Sequence, residues 1–207
     1  MSRVFLFRHG ETESNVAKIY QGQGNSKLTQ KGVEQAQSLA SFFKNEDFSA
    51  VYSSDLIRSY DTACIFAKPH KLKVAKIENI KERFYGDWEG MTFEEIELKY
   101  PAIYRLWLKD PNIAVIPKAE TLSQLQQRGV SAIEDLAKNH VGENISVIAH
   151  GGINRAILFY YLNLDLNNFW RIRQDNAAIN ILDFHSEPRI RTLNATCWPI
   201  GKMENTY

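Results

Sequence analysis

Two hydrophobic periods alternate along the chain. Val4-Phe5-Leu6-Phe7 is a short continuous apolar run, and Ile145-Ser146-Val147-Ile148-Ala149 is a second. Runs of this length, bounded by polar turns, read as strands buried on both faces. Ala50-Val51-Tyr52 predicts another strand, and the weak alternation from Lys73 to Ile77 one more. Between these runs the period lengthens. Val33, Ala36, Leu39, Ala40 and Phe43 recur at threes and fours after Thr29, which predicts a helix. Leu56, Tyr60, Ala63 and Ala67 form a second helical stripe, with Ser54 or Asp55 placed to cap it. Thr121 and Gln124 make a capping box that opens a long helix to about Asn139, with Leu125, Ile133 and Leu136 inward. A helix from Ile153 to Leu162 follows the second apolar run. Ala178 to Phe184 and Ile190 to Leu193 flank Ser186-Glu187-Pro188, the pattern of an antiparallel hairpin.

Strands that alternate with helices imply an α/β fold: a doubly wound, mostly parallel central sheet with helices on both faces and right-handed crossovers. Residues 80–120 are less regular. Thr92 and Glu95 form a capping box for a short helix that Pro101 closes or kinks, and Ile103, Leu106 and Trp107 suggest a further helical piece. This segment is expected to be an insertion lying over the functional edge of the sheet. Repeats, low-complexity stretches and linkers are lacking, so residues 1–207 read as one domain.

Composition adds mainly exclusions. The 207 residues are 44% hydrophobic and 24% charged, enough to bury a core without staples. A formal net charge of +1 supplies no global field for nucleic acid or a membrane surface, so any anion affinity must be local. Cys64 and Cys197 lie far apart in no ligand spacing, and Cys64 falls in a helical pattern that suggests a reduced core thiol. No segment has the length of a signal peptide core or a transmembrane span, and a cytoplasmic protein is the simplest expectation. The sequence is silent on oligomeric state; a homodimer is compatible with it.

The two apolar runs end alike, the first in Arg8-His9-Gly10 and the second in His150-Gly151-Gly152. Ligands of open α/β sheets bind at that edge. A lone histidine at a strand end usually serves structure, but two in one context can stand side by side at one edge, with helix N-termini just beyond to supply backbone donors. Gly10 is read as permitting a turn and close ligand approach. Arg8 offers a fork of donors suited to phosphate, and neutral His9 a nucleophile near pH 7.

The stretch Arg8-His9-Gly10-Glu11-Thr12 after a first strand resembles the signature of the histidine phosphatase superfamily. Ser53-Ser54-Asp55-Leu56-Ile57-Arg58, followed by Thr62-Ala63, resembles that family's second element. Glu82-Arg83-Phe84-Tyr85-Gly86-Asp87-Trp88-Glu89-Gly90 resembles its acid element. The motifs match in order from Arg8 to the hairpin. The resemblance implies a phosphoglycerate mutase-like fold and a phosphomonoesterase that works through a phosphohistidine on His9. Arg8, Arg58 and His150 would then hold the phosphoryl oxygens, with Gly151 and Asn15 beside them, and Glu82 would protonate the leaving group. Glu89 is the rival carboxylate, read as part of a structural turn. Neither metal nor cofactor is implied, since Asp/Glu clusters and His/Cys ligand sets are absent from the sequence.

The expected partner is a small phosphomonoester, with no nucleic acid and no membrane. Its chemistry stays open. Tyr85 and Trp198 stand where phosphoserine phosphatases of this type carry histidines, and Pro117-Lys118-Ala119-Glu120-Thr121 replaces the usual Pro-Gly-Gly-Glu-Ser. An aromatic wall at Tyr85 would suit an apolar or heterocyclic alcohol such as α-ribazole 5′-phosphate, or a broad range. Phosphoserine hydrolysis, a cofactor-dependent phosphoglycerate mutase and a catalytically silent phosphate-binding regulator are the alternatives. The chain is short for a mutase, whose extra segments close over the site.

Overall fold

The computed structural model of the chain describes residues 1–197; Trp198 lies outside them. Six strands, β1 (Ser2–Arg8), β2 (Ala50–Ser53), β3 (Val74–Lys76), β4 (Asn144–Ala149), β5 (Ile179–Phe184) and β6 (Arg189–Ala195), form one sheet in the order β3-β2-β4-β1-β5-β6. The pairs β3–β2, β2–β4 and β4–β1 are parallel, whereas β5 runs antiparallel to β1 and pairs with β6 as the expected hairpin. The sheet is thus mostly parallel with an antiparallel margin. Among the described residues seven α-helices accompany it: α1 (Glu13–Val16), α2 (Gln30–Phe42), α3 (Ile57–Ala67), α4 (Phe93–Lys99), α5 (Pro101–Lys109), α6 (Leu122–Asn139) and α7 (Gly151–Tyr161).

Strand alternation divides the core in two. Val4 and Leu6 of β1, with Ile145, Val147 and Ala149 of β4, face one cluster that takes in Leu125 and Ile133 of α6 and Ile153 and Ile157 of α7. Phe5, Phe7 and Ile148 face the other, with Leu39 and Phe43 near α2 and Ala63 and Phe66 on α3. Aromatic edges fill this second layer: Phe5 and Phe43 lie 5.4 Å apart, and Phe7 and Phe66 5.2 Å. Burying one such ring contributes about 1.5–3 kcal/mol. The 80–120 segment is anchored in the first layer, where Trp88 and Trp107 are fully buried. Trp107 Nε1 donates to the Tyr20 hydroxyl at 2.8 Å, tying the segment to the loop after β1. Among the described residues no helix is long and apolar enough to cross a membrane.

Three local expectations are corrected. Helix α3 is capped by neither Ser54 nor Asp55: its N-cap is Leu56, without a side-chain cap bond. Both polar side chains have tertiary partners, His150 for Ser54 and Lys81 for Asp55, and these outcompete the local cap. Cys64 is exposed, because α3 turns Ser59, Thr62, Ala63 and Phe66 inward and leaves the thiol on the outer side. Helix α7 begins at Gly151, two residues earlier than its apolar stripe suggests, since the period registers only from Ile153. The capping boxes at Thr92 and Thr121 form as expected, and Pro101 starts α5 at a position that needs no N–H.

At the start of α6, Thr121 Oγ1 accepts from Gln124 N at 3.1 Å and Gln124 Oε1 accepts from Thr121 N at 2.9 Å. Thr121→Ala leaves one donor of that first turn unsatisfied. Urea denaturation should show a loss of about 1 kcal/mol with an unchanged m-value; no loss would mean that solvent replaces the cap fully.

Candidate active site

The first motif is fixed by backbone before any side chain acts. His9 N donates to Ala149 O of β4 at 3.0 Å, and Arg8 N donates to Ala178 O at 3.1 Å. Gly10 N donates to Thr62 Oγ1 of α3 at 3.1 Å. The glycine is required for packing rather than for a positive φ: a Cβ there would fall 2.4 Å from Gly32 O at the start of α2. Chain direction then leaves His9 and His150 at adjacent strand ends, with ring centroids 5.1 Å apart. Both are buried, His9 at 2% exposure and His150 at 0%.

Hydrogen bonds assign the tautomer of His9. Its Nδ1 lies 2.6 Å from Gly10 O, and a carbonyl only accepts, so Nδ1 carries the proton and Nε2 the lone pair. Arg58 Nε donates to that Nε2 at 3.2 Å. The same guanidinium is held by Gly24 O at 2.8 Å and Gly22 O at 2.7 Å, so the loop after β1 orients the arginine that faces the imidazole. Gly22 adopts φ +50°, a conformation that suits glycine. Arg8 Nη1 donates to Gln174 O, while its buried Nε has no partner among the described residues. His150 Nε2 meets Ser54 Oγ at 2.6 Å.

Glu82 arrives from the 80–120 segment and lies against the N-terminus of α7. Its Oε2 accepts from Gly152 N at 2.9 Å, and its Oε1 accepts from Ile153 N at 3.1 Å and from Arg83 N at 2.8 Å. The carboxylate therefore caps a helix that has no side-chain cap of its own. A Cβ on Gly152 would come within 2.4 Å of Glu82 Oε1, so this approach depends on glycine. Glu89 is turned away to other backbone: its Oε1 accepts from Gln23 N at 2.9 Å and Tyr85 N at 3.1 Å. An imidazole lone pair flanked by two guanidinium groups, a second imidazole and a carboxylate is suited to receiving a phosphoryl group.

Residues 4–196 match the model of the histidine phosphatase superfamily (branch 1). The chain belongs to that family. It is 34% identical over 200 residues to phosphoserine phosphatase 1 of Hydrogenobacter thermophilus, covering 95% of this chain and 94% of that one. It is 39% identical over 186 residues to a metal-independent phosphoserine phosphatase of Arabidopsis thaliana, covering 88% and 74%. Among solved structures, the α-ribazole phosphatase of Shigella flexneri superposes with a TM-score of 0.85 at 27% identity, covering 97% of this chain and 100% of that one. This histidine phosphatase is accordingly a phosphoric monoester hydrolase.

Parts of the site's surroundings, Gln174, Asn176 and Arg155 among them, carry no signal in a single sequence, and the expected residues Asn15 and Tyr85 take partners that only the fold supplies. Asn15 sits in the capping box of α1, where its Oδ1 accepts from Thr12 N at 3.1 Å and from Asn176 Nδ2 at 3.1 Å. Asn176 also donates to His9 O at 3.4 Å, joining the loop after β1 to the turn before β5. Gln174 and Asn176 reach the site only through the chain reversal into β5. Tyr85 is 7% exposed and packs against Tyr20 at 4.9 Å and Trp107 at 6.1 Å, with Arg83 over its ring; it is part of an aromatic cluster, not an open wall. Arg83 and Arg155, which the motifs did not single out, stand on this cluster. Burial pushes Arg58 and Arg155 down to about 10, so both remain cations at neutral pH. Among the described residues no group of His, Cys, Asp and Glu is assembled to hold a metal ion.

Burial, with Arg58 the next cause, holds His9 and His150 well below the ordinary histidine range. The unfolded chain takes up protons on these residues near pH 6.5 while the folded chain does not, so acidification below that point favours unfolding. From about pH 6.5 to about pH 5.5 the enzyme should therefore lose up to about 1.4 kcal/mol more per histidine than a His9→Gln/His150→Gln double variant. Denaturant titrations at both pH values test this; equal losses would show that the buried rings take up protons in place.

Proposed function

We propose that the enzyme is a metal-independent phosphomonoesterase that acts on a small phosphorylated metabolite through a phosphohistidine. The single observation that carries this reading is the Gly10 O contact of His9 Nδ1, which leaves the Nε2 lone pair facing Arg58. In the first step Nε2 bonds to phosphorus as the ester P–O bond breaks. Arg8, Arg58 and His150 hold the phosphoryl oxygens, helped by the Gly151 backbone and Asn15, and neutral His9 adds no repulsion to their positive field. Glu82 hands a proton to the departing alkoxide, for which one of its N–H partners must be released. In the second step water attacks the phosphohistidine, Glu82 takes the proton back, and inorganic phosphate leaves. Similarity to the metal-independent phosphoserine phosphatase of Arabidopsis supports the metal-independent part of this reading.

The relatives' names offer phosphoserine and α-ribazole phosphate as candidate substrates. The aromatic side chains that would favour a heterocyclic alcohol are packed on one another, so they give that choice little support.

In EDTA the enzyme should release phosphate from p-nitrophenyl phosphate and from alkyl phosphates, and a quench in alkaline denaturant should trap phosphate on His9 in an alkali-stable, acid-labile form. His9→Ala should lose at least about a thousandfold in kcat, the scale of a missing nucleophile, with an unchanged circular dichroism spectrum; turnover near the parent rate would place the nucleophile elsewhere.

Glu82→Gln keeps the shape of the side chain but has no proton to give. It should slow alkyl phosphates by about 10²–10⁴-fold and aryl phosphates far less, because phenolates leave without protonation. Equal losses on both classes would remove Glu82 from the role of acid.

A further inference from the structure

Ser54 directly follows β2 and His150 directly follows β4, and both are fully buried. Ser54 Oγ lies 2.6 Å from His150 Nε2. The chemistry above uses His150 to hold a phosphoryl oxygen, and such an oxygen only accepts hydrogen bonds. Which ring nitrogen carries the proton therefore determines whether His150 can serve at all. The distance fits donation in either direction; the count of donors and acceptors settles the direction.

A hydroxyl has one proton to donate. His150 Nε2 is the one hydrogen-bond partner of Ser54 Oγ among the described residues. The neighbouring hydroxyls are engaged with carbonyls: Ser53 Oγ donates to Ser54 O at 2.8 Å and Ser59 Oγ to Ile148 O at 2.6 Å. Were Nε2 the donor, the Ser54 proton would be enclosed with no acceptor, an arrangement that buried polar groups avoid. The satisfied arrangement has Ser54 Oγ–H donating to Nε2. Desolvation, and next the charge of Arg58, keep His150 neutral, so its single ring proton sits on Nδ1. That Nδ1 is buried and has no partner among the described residues. Strand β4 lies between β2 and β1, so a ring held through Nε2 on the β2 side turns its other edge toward β1, where Arg8 and His9 stand. Arg8 Nε, likewise buried and unpartnered, is a second donor on that side.

We propose that Ser54 is a positioning residue that fixes His150 as the Nδ1–H tautomer, so that a neutral His150 presents an N–H to the phosphoryl group. In the other tautomer the ring would turn a lone pair toward the phosphoryl oxygens and repel them. The Gly10 carbonyl sets His9 to the same tautomer from the opposite end of its ring. One tautomer thus serves two duties: His9 offers the lone pair on Nε2, and His150 the proton on Nδ1. The assignment rests on the phosphoryl-transfer reading of the site and adds the atom through which His150 acts.

The test reads the tautomer directly. In enzyme carrying ¹⁵N-labelled histidine, ring nitrogen shifts separate a protonated nitrogen from a bare one, and the signals lost in His150→Gln identify His150. The parent should show His150 protonated at Nδ1 alone at neutral pH, and Ser54→Ala should show a mixture of both tautomers. Ser54→Ala should also lose about tenfold or more in kcat and weaken inhibition by orthovanadate, a phosphate mimic, by a similar factor. Ser54→Cys, whose thiol is a weaker donor, should recover part of both. A parent His150 protonated at Nε2, or a Ser54→Ala enzyme with the parent tautomer and the parent kcat, would overturn the assignment. The first of these needs no variant, so it holds even if Ser54→Ala fails to fold by circular dichroism. Phosphate trapped on His9 of the parent checks the underlying reading separately. Its absence would overturn that reading and the donor role of His150, whatever the tautomer.

Discussion

The parallel pairing of β1 with β4 is the constraint on which the rest of the site depends. Its register sets Arg8 opposite Ala149, and one residue further the hydrogen bond from His9 N to Ala149 O brings both chains to their histidines together. A slip of one residue would send Phe5 and Phe7 to the wrong layer and turn the residues at the strand end with them. Hydrophobic layering on two faces thus fixes the distance between the two imidazoles. Because the strand ends are buried, the imidazoles lose solvent, and the same desolvation that stabilises the layers keeps the rings neutral.

Around this pair, structural and chemical duties share the same atoms. Thr62 Oγ1 donates to Arg58 O at 2.7 Å and accepts from Gly10 N, coupling the arginine-bearing helix to the first motif. The carbonyls of Gly22 and Gly24 satisfy Arg58 where no carboxylate does, and leave its Nε for His9. A carboxylate in their place would neutralise the guanidinium and weaken its hold on a phosphoryl group. Carbonyls orient without neutralising. The Glu82 side chain completes the start of α7 just beyond His150, so the proposed acid is positioned by a helix that needs a cap. Arg128 reinforces this by donating to the carbonyls of Asn79, Lys81 and Glu82, which fixes the backbone that carries the acid.

Much of this frame was legible in the sequence because its causes are local. Apolar runs ending in His-Gly marked the strand ends, and Thr-x-x-Glu or Thr-x-x-Gln marked helix starts, since the atoms involved lie within a few residues. Prediction failed where a distant partner won. Ser54 could cap α3 by local rules, but His150, far along the chain, takes its hydroxyl. Cys64 was assigned inward because the apolar stripe was read a little too far around the helix. Asn176 and Gln174 were invisible because a polar turn before a strand has no pattern that points to an edge on the other side of the sheet. Tyr85 was identifiable as an aromatic beside the acid, yet its neighbours Tyr20 and Trp107 come from segments whose meeting only the tertiary fold decides. The resemblance identified Glu82 as an acid, whereas its cradle of three N–H groups involves a helix about seventy residues away.

The balance of charge explains why such a site can be both well packed and ready for ligand. Four arginines, Arg8, Arg58, Arg83 and Arg155, feel the field of Glu82, yet none is in an ion pair with it. They are held by carbonyl oxygens and aromatic faces, contacts that fix position while leaving the positive potential intact. A fully ion-paired cluster would be easier to bury but would have to break its pairs before binding an anion. Backbone acceptors avoid that reorganisation, because the dipoles that hold the cations remain in place when the phosphate arrives. The stability forgone by holding these cations without carboxylates is thereby available as affinity for an anion.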